Sequence, residues 1–189
     1  MSNFAKIRFM VKNRKLLNEE LNRLSVDDFK NVKKVPIVVV LDNIRSLNNV
    51  GSVFRTSDAL RVKKIFLCGI TGTPPQPEIH RTALGAEDAV DWEYAETTMQ
   101  VLLKLKELGY IIVSLEQAAQ TENLLSFKPS GNKKYALVFG NELRGVSQEV
   151  VDYSDVCIEI PQFGTKHSFN ISVSVGIVLW DFFSKIGML

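Results

Sequence analysis

Cysteine and histidine are scarce in this chain, which limits the metal and disulfide chemistry it can carry. The 189 residues include two cysteines and two histidines. Cys68 and Cys157 stand far apart in apolar, strand-like runs, so we expect two free thiols in a reducing compartment. Because no cysteine and histidine residues cluster at the spacing of a zinc site, we predict no metal centre.

Long apolar runs are also missing. No stretch is long enough to span a bilayer, and the first residues lack the apolar run of a signal peptide. We therefore expect a protein that does not contact membranes and that works in the cytoplasm.

The commonest phosphate-binding loops and nucleophile motifs do not occur. Gly140 and Gly145 are five residues apart, which does not fit Gly-x-Gly-x-x-Gly, and no Gly-Lys-Ser/Thr of a P-loop is present. There is no Gly-x-Ser-x-Gly elbow, and His167 and Ser168 are neighbours, which rarely form a base and nucleophile pair. These absences exclude the usual dinucleotide, nucleotide and serine-hydrolase sites.

Charge is unevenly distributed along a chain whose net charge is only +2. Residues 1–34 hold nine Lys or Arg against four Asp or Glu, a balance of +5, while the remaining 155 residues sum to −3. A basic segment on a nearly neutral body suggests a polyanionic partner. A solvated helix with basic residues accounts for the same charge equally well.

Alternating apolar runs predict the fold class. The β-branched run at 37–41 is apolar on both faces, which is typical of a buried parallel strand. Further strands are predicted at 64–68, 90–94, 110–115, 135–139 and 156–160, and helices at 12–24, 49–60, 78–84, 97–108 and 170–186. This alternation predicts an α/β fold with a mostly parallel sheet flanked by helices. We expect a single domain at 35–189, preceded by a basic helical extension at 1–34.

Three segments at predicted strand ends carry polar chemistry. In the first, Asn49 suits a helix N-cap, and Arg55 follows among apolar residues, where a guanidinium needs an anion or a carboxylate. In the second, Glu142 lies in a loop bounded by glycines, where it can bind a ligand or form a purely structural ion pair with Arg55. The third is the loop of small residues that follows the strand at 156–160. Such loops together can form a pocket for a small organic ligand.

Taken in order, the three segments resemble the motifs of the SpoU/TrmH family of RNA ribose 2′-O-methyltransferases. The resemblance runs from Pro36 to the C-terminus, although position 162 is Gln where many members carry a hydrophobic residue. The family pattern Asn-x-Gly-x-x-x-Arg is met by Asn49, Gly51 and Arg55, the pattern Gly-x-Glu-x-x-Gly by Gly140, Glu142 and Gly145, and the pattern Ile-Pro-x-x-Gly-x-x-x-Ser-x-Asn-x-Ser by Ile160, Pro161, Gly164, Ser168, Asn170 and Ser172.

This resemblance implies an architecture and a cofactor. It implies that the C-terminal part is threaded as a deep trefoil knot, as in SPOUT-type enzymes. It also implies a homodimer with the last helix and the first motif near the interface. The cofactor would be S-adenosylmethionine, held by the second- and third-motif loops. The implied cofactor-binding residues are Phe139, Gly140, Asn141, Gly145, Ile160, Gly164, Ser168, Phe169 and Asn170.

The resemblance also implies a catalytic set. Arg55 would act at the ribose 2′-hydroxyl, Asn49 would position Arg55, and Glu142 would orient Arg55 or the substrate. Because a guanidinium is essentially never deprotonated at neutral pH, we expect Arg55 to orient the hydroxyl and stabilise the developing alkoxide. The set is completed by Ser168 and Asn170.

The basic N-terminal residues resemble an extension that some members use to grip tRNA through phosphate contacts, which give affinity without sequence choice. Since the chain lacks the larger N-terminal RNA-binding domain of some ribosomal-RNA members, we expect tRNA as the substrate. Ribosomal RNA is the alternative substrate, and a catalytically inactive RNA-binding protein is the alternative of another class. The residues expected to bind RNA are Lys6, Arg8, Lys12, Arg14 and Lys15.

Overall fold

The structure, a computed structural model, describes residues 13–187. Within these residues seven strands form one sheet in the order β3-β2-β1-β6-β4-β7-β5, and every pair of neighbours is parallel. The predicted α/β fold is confirmed, with a sheet that is entirely parallel. The strands are β1 Ile37–Asp42, β2 Lys64–Cys68, β3 Trp92–Ala95, β4 Tyr110–Leu115, β5 Glu122–Asn123, β6 Lys134–Phe139 and β7 Val156–Glu159.

Helices cover both faces of this sheet, which is why its central strands are mostly apolar. Alternate residues of β1 pack into two separate cores: Val39 and Leu41 into the core that contains the α2 and α7 side chains, and Val40 into the core that contains those of α5 and α6. The helices are α1 Val26–Asn31, α2 Leu47–Ala59, α3 Pro77–Ala83, α4 Ala86–Ala89, α5 Thr98–Glu107, α6 Gln148–Tyr153 and α7 Ile171–Lys185.

The strand register brings four carboxyl ends to one edge of the sheet. Leu41 of β1 lies opposite Phe139 of β6, Phe139 lies opposite Leu115 of β4, and Leu115 lies opposite Ile158 of β7. Ligands of open α/β sheets bind outside the carboxyl ends of the strands, so this edge is where a site is expected.

The N-terminal segment differs from the prediction. In the described part of the predicted helix at 12–24, only Asn18–Leu21 is helical, as a 3₁₀ turn that ends at Asn22 with a left-handed φ of 48°. The leucines that would form the apolar face of a helix stay exposed, so no packing stabilises it.

Residues shortly before position 35 contact the core of the domain. Helix α1 starts after Ser25, whose hydroxyl oxygen accepts a hydrogen bond from the Asp28 amide at 3.1 Å. Phe29 of this helix is buried in the main core. The predicted extension 1–34 therefore packs on the domain through α1, and the boundary at residue 35 stays a prediction.

Besides α1, three short elements are absent from the predicted strands and helices. Strand β5 and helices α4 and α6 hold two to six residues each, too few to show a periodic pattern.

Within residues 13–187 no helix combines the length and apolar character needed to cross a bilayer. The same residues include no cluster of three or more His, Cys, Asp or Glu side chains that could hold a metal ion.

Candidate active site at the carboxyl ends of the central strands

A cavity of about 520 Å³ opens at this edge of the sheet, between the loops that follow β4, β6 and β7. Eight of the nine residues predicted to bind a cofactor line it: Phe139, Gly140, Asn141, Gly145, Ile160, Ser168, Phe169 and Asn170. The ninth, Gly164, does not line the cavity, and a side chain built there would meet nothing within 4 Å. Gly164 lies in the exposed outer part of its loop, and its contact with a cofactor stays a prediction.

The loop after β6 is a closed turn. Asn141 and Gly145 exchange both backbone hydrogen bonds, at 3.0 and 2.8 Å, and the Asn141 side-chain oxygen accepts from the amides of Leu143 and Arg144. Gly145 has a φ of +68°, which favours glycine, and a Cβ on Gly140 would come within 2.1 Å of the Gly145 carbonyl carbon. Both glycines of the second motif are thus required by the geometry of the turn.

Asn49 joins the three motif segments. Its side-chain nitrogen donates to the Glu142 carboxylate at 3.0 Å, and its side-chain oxygen accepts from the Asn170 side chain at 3.2 Å. The prediction that Asn49 caps helix α2 is wrong, because Ser46 is the N-cap and accepts from the Asn49 amide. The shift of three residues leaves the Asn49 side chain available to bridge Glu142 and Asn170.

Asn170 is itself fixed by the helix that it begins. As the N-cap of α7, its side-chain oxygen accepts from the amide of Ser172 at 2.9 Å and from the Ser172 hydroxyl at 2.7 Å. This arrangement turns the Asn170 side-chain nitrogen toward Asn49. A conventional helix cap therefore sets the position of one wall of the cavity.

Glu142 is half-buried and strongly hydrogen-bonded. Besides Asn49, the amides of Arg45 and Ser46 donate to its carboxylate at 3.0 and 3.1 Å. Burial alone would raise the pKa of Glu142, but these donors outweigh burial and hold the pKa below its ordinary value. Glu142 is therefore an ionised acceptor at neutral pH.

Arg55 lies away from this network. It is exposed on α2, six residues beyond Asn49, which is about 9 Å along the helix axis. It lines a separate cavity of about 280 Å³ together with Leu24, Asp58 and Leu84. Within residues 13–187 the hydrogen bonds of Glu142 go to the α2 N-terminus and not to Arg55. Of the two alternatives for Glu142, contact with Arg55 of the same chain is therefore not observed, and contact with a ligand or substrate stays a prediction.

Two of the residues predicted to bind RNA lie in the described part of the chain. Arg14 and Lys15 are both exposed, and the Arg14 guanidinium pairs with Glu20 at 2.5 Å. The Arg14 guanidinium and the Leu17 amide hold the pKa of Glu20 at about 2. Lys6, Arg8 and Lys12 lie outside the described residues.

Sequence reasoning missed the residues that follow β4. Glu116 and Gln117 line the cavity, as do Glu159, Gln162 and His167 from the opposite loop. The same strand-end reasoning that selected Glu142 applies to Glu116, which directly follows the run at 110–115. The position of Glu116 directly after this apolar run is the signal in the sequence that points to it.

The sequence that forms this site matches the model of a known protein family. Residues 36–180 match the model of the SpoU rRNA methylase family, and the chain therefore belongs to that family. The match covers all three motif segments and the strands that position them.

The names of two similar proteins refer to two kinds of RNA. The chain is 30% identical to a tRNA (guanosine(18)-2′-O)-methyltransferase of Aquifex aeolicus over 88% of this chain and 76% of the relative. It is 28% identical to a 23S rRNA (guanosine-2′-O-)-methyltransferase of Neisseria meningitidis over 84% of this chain, and spans only 62% of that relative.

Solved structures show the same fold. The A. aeolicus TrmH/SpoU tRNA modifying enzyme superposes with a TM-score of 0.75 at 28% identity, over 85% of this chain and 81% of that one. An rRNA methyltransferase from Sinorhizobium meliloti, solved with S-adenosylmethionine bound, gives a TM-score of 0.73 at 26% identity, over 81% of this chain and 58% of that one. The fold is thus shared with enzymes of this family.

Proposed function

We propose that this protein is an S-adenosylmethionine-dependent RNA ribose 2′-O-methyltransferase that acts on tRNA. The observation that carries the proposal is the hydrogen-bonded chain from Glu142 through Asn49 to Asn170, because it joins all three family motifs beside one cavity. The relatives with matching sequence and fold, which are named as RNA 2′-O-methyltransferases, support the reaction.

The cavity suits this cofactor. Its volume of about 520 Å³ lies within the range of small-molecule sites. Apolar side chains of Phe139, Ile158 and Ile160 can cover an adenine ring, while Glu116 and Glu159 bring negative charge to a ligand that carries a sulfonium and an ammonium group. When bound, that sulfonium supplies an electrophilic methyl group.

The polar residues have separate tasks in this proposal. Backbone groups of Gly140 and Ile160 hold the cofactor, and Ser168 and Asn170 fix its position from the third loop. Glu142, ionised and held by three donors, accepts a hydrogen bond from a ribose hydroxyl and so orients the attacking oxygen. Correct placement of that oxygen supplies much of the rate of a direct displacement.

Arg55 enters the proposal through a second subunit. In one chain it lines a different cavity from the cofactor residues, so it can serve a cofactor site only if another copy presents it. The exposed apolar residues Val173 and Trp180 of α7, a helix that packs on α2, support a homodimer in this region. A trefoil knot formed by the second- and third-motif segments is part of the same proposal.

Mixed dimers test the role of the second subunit. Arg55→Ala and Asn170→Ala are each expected to be inactive alone. When the two variants are refolded together, about half of the dimers contain one copy of each variant. In such a dimer one of the two sites has both Arg55 and Asn170, so about one quarter of wild-type activity should return. A mixture no more active than its components would place Arg55 in the site of its own chain.

Labelled methyl donor tests the function and the substrate together. The purified protein is incubated with tRNA and, separately, with ribosomal RNA. Label in tRNA is the expected result, and label in ribosomal RNA alone would shift the substrate to the alternative suggested by the N. meningitidis relative. Label in neither RNA, with no binding of S-adenosylmethionine by calorimetry, would favour an inactive RNA-binding protein.

A further inference from the structure

Two adjacent residues at the end of β4 hold both cofactor loops. Glu116 and Gln117 follow the strand directly and line the cavity. The Glu116 amide donates to the Ile158 carbonyl of β7 at 3.1 Å, which anchors the pair to the sheet before their side chains leave it.

Glu116 holds the loop of the second motif. The Val146 amide, just beyond Gly145, donates to its carboxylate at 2.8 Å, and the Gln117 amide donates to the other carboxylate oxygen at 2.8 Å. The carboxylate also fills the space beside Gly145, where a Cβ would come within 2.1 Å of a Glu116 oxygen. The second glycine of the motif therefore accommodates this side chain as well as the turn.

Gln117 holds the loop of the third motif. Its side-chain nitrogen donates to the His167 carbonyl at 2.7 Å, next to Ser168. This contact bridges 50 residues of sequence, and it fixes the loop at the point where its backbone turns toward the cavity.

We infer that Glu116 and Gln117 are positioning residues for the cofactor, a pair that keeps the second- and third-motif loops at the spacing the ligand requires. Neither residue belongs to the three family motifs. Both loops are anchored to one point on β4, so loss of either contact should weaken cofactor binding without changing the sheet. The identity of the cofactor rests on the proposed function.

Calorimetry with S-adenosylmethionine tests this inference on the purified full-length protein. Glu116→Ala should raise the dissociation constant by about tenfold or more, because a hydrogen bond to a charged group is lost. Glu116→Gln keeps one acceptor oxygen and should fall between the wild type and Glu116→Ala. Gln117→Ala removes an exposed side chain, so it should fold normally and still weaken binding.

Asp155→Ala is the matched control. The Asp155 carboxylate accepts from the Ile112 amide at 2.9 Å, so this variant removes the same kind of bond from the opposite end of β4. Asp155→Ala should lower the unfolding temperature of the protein and leave the dissociation constant for S-adenosylmethionine unchanged. In turnover assays, Glu116→Ala and Gln117→Ala should raise KM for S-adenosylmethionine far more than they lower kcat, a split that general destabilisation would not produce.

The outcomes separate the two proposals. If the wild type binds S-adenosylmethionine and both Glu116→Ala and Gln117→Ala bind it equally well, the positioning role is overturned and the proposed function stands. A wild type that does not bind S-adenosylmethionine would instead overturn the proposed function.

Discussion

The side chain of Asn49 donates a hydrogen bond to the carboxylate of Glu142, 93 residues later in the chain, across 3.0 Å. The same Asn49 side chain accepts from Asn170. This bridge makes the three motifs one site.

Replacing Asn49 by alanine should disrupt that bridge. Glu142 loses one donor, so we expect the free energy of unfolding to fall by about 1 kcal/mol or more and methyl transfer to be lost. Asn49→Asp should be worse, since it places a second carboxylate against Glu142. Asn48→Ala, on the preceding residue, is the control that should retain activity. Denaturant unfolding and turnover assays measure both effects, and an active Asn49→Ala would show that the bridge is dispensable.

The pH dependence of stability should report the ionisation of Glu142. Its pKa is lowered in the folded protein, so its stabilising contribution is complete above the unfolded-state pKa of about 4.3 and is lost as the pH falls through the folded-state value. The difference in unfolding free energy between the wild type and Glu142→Gln should therefore be constant near neutral pH and shrink in acid. A difference that grows on acidification would contradict the lowered pKa.

Arg55→Ala should separate catalysis from cofactor binding. Because Arg55 does not line the cofactor cavity of its own chain, the affinity for S-adenosylmethionine and the fold should be largely retained. Methyl transfer should fall by about 100-fold or more, the usual loss when a group that stabilises developing charge is removed. Unchanged turnover would remove Arg55 from the catalytic set.

Two glycine substitutions should give opposite results. Gly145→Ala places a Cβ against Glu116 at a φ of +68°, so we expect a loss of about 1–3 kcal/mol and weaker cofactor binding. Gly164→Ala adds a methyl group in open space, and the dissociation constant should not change. Calorimetry on both variants decides whether Gly164 contributes to the cofactor site after all.

Glu20 should restrain RNA binding by pairing with Arg14. Glu20→Gln releases the guanidinium for phosphate, whereas Glu19→Gln removes the same charge one residue away and serves as the control. We expect the Glu20 variant to bind tRNA about two- to fivefold more tightly than the control, with a steeper dependence on salt. Equal affinities would argue against a phosphate contact by Arg14.

Strand positions were predictable because a strand buried on both faces must be mostly apolar. The runs at 64–68 and 110–115 coincide with β2 and β4 for this reason. Membership of the SpoU family was likewise predictable from three spaced motifs, and it is confirmed.

Side-chain direction was harder to predict than strand position. One of the two alternatives for Glu142 was contact with Arg55, yet six residues along a helix separate Arg55 from Asn49 by most of two turns. The N-cap of α2 was predicted at Asn49 but lies at Ser46. A sequence rich in Ser and Asn offers several residues that could cap the helix. Tertiary contact with Glu142 decides between them.

The position of the transferred methyl group tests the central claim most directly. RNA labelled by the protein is digested with alkali, which cleaves only where a free 2′-hydroxyl can attack the neighbouring phosphate. Methyl transfer to ribose predicts label in an alkali-stable dinucleotide, absent with Arg55→Ala. Label recovered in mononucleotides would show methylation of a base and contradict the proposed reaction.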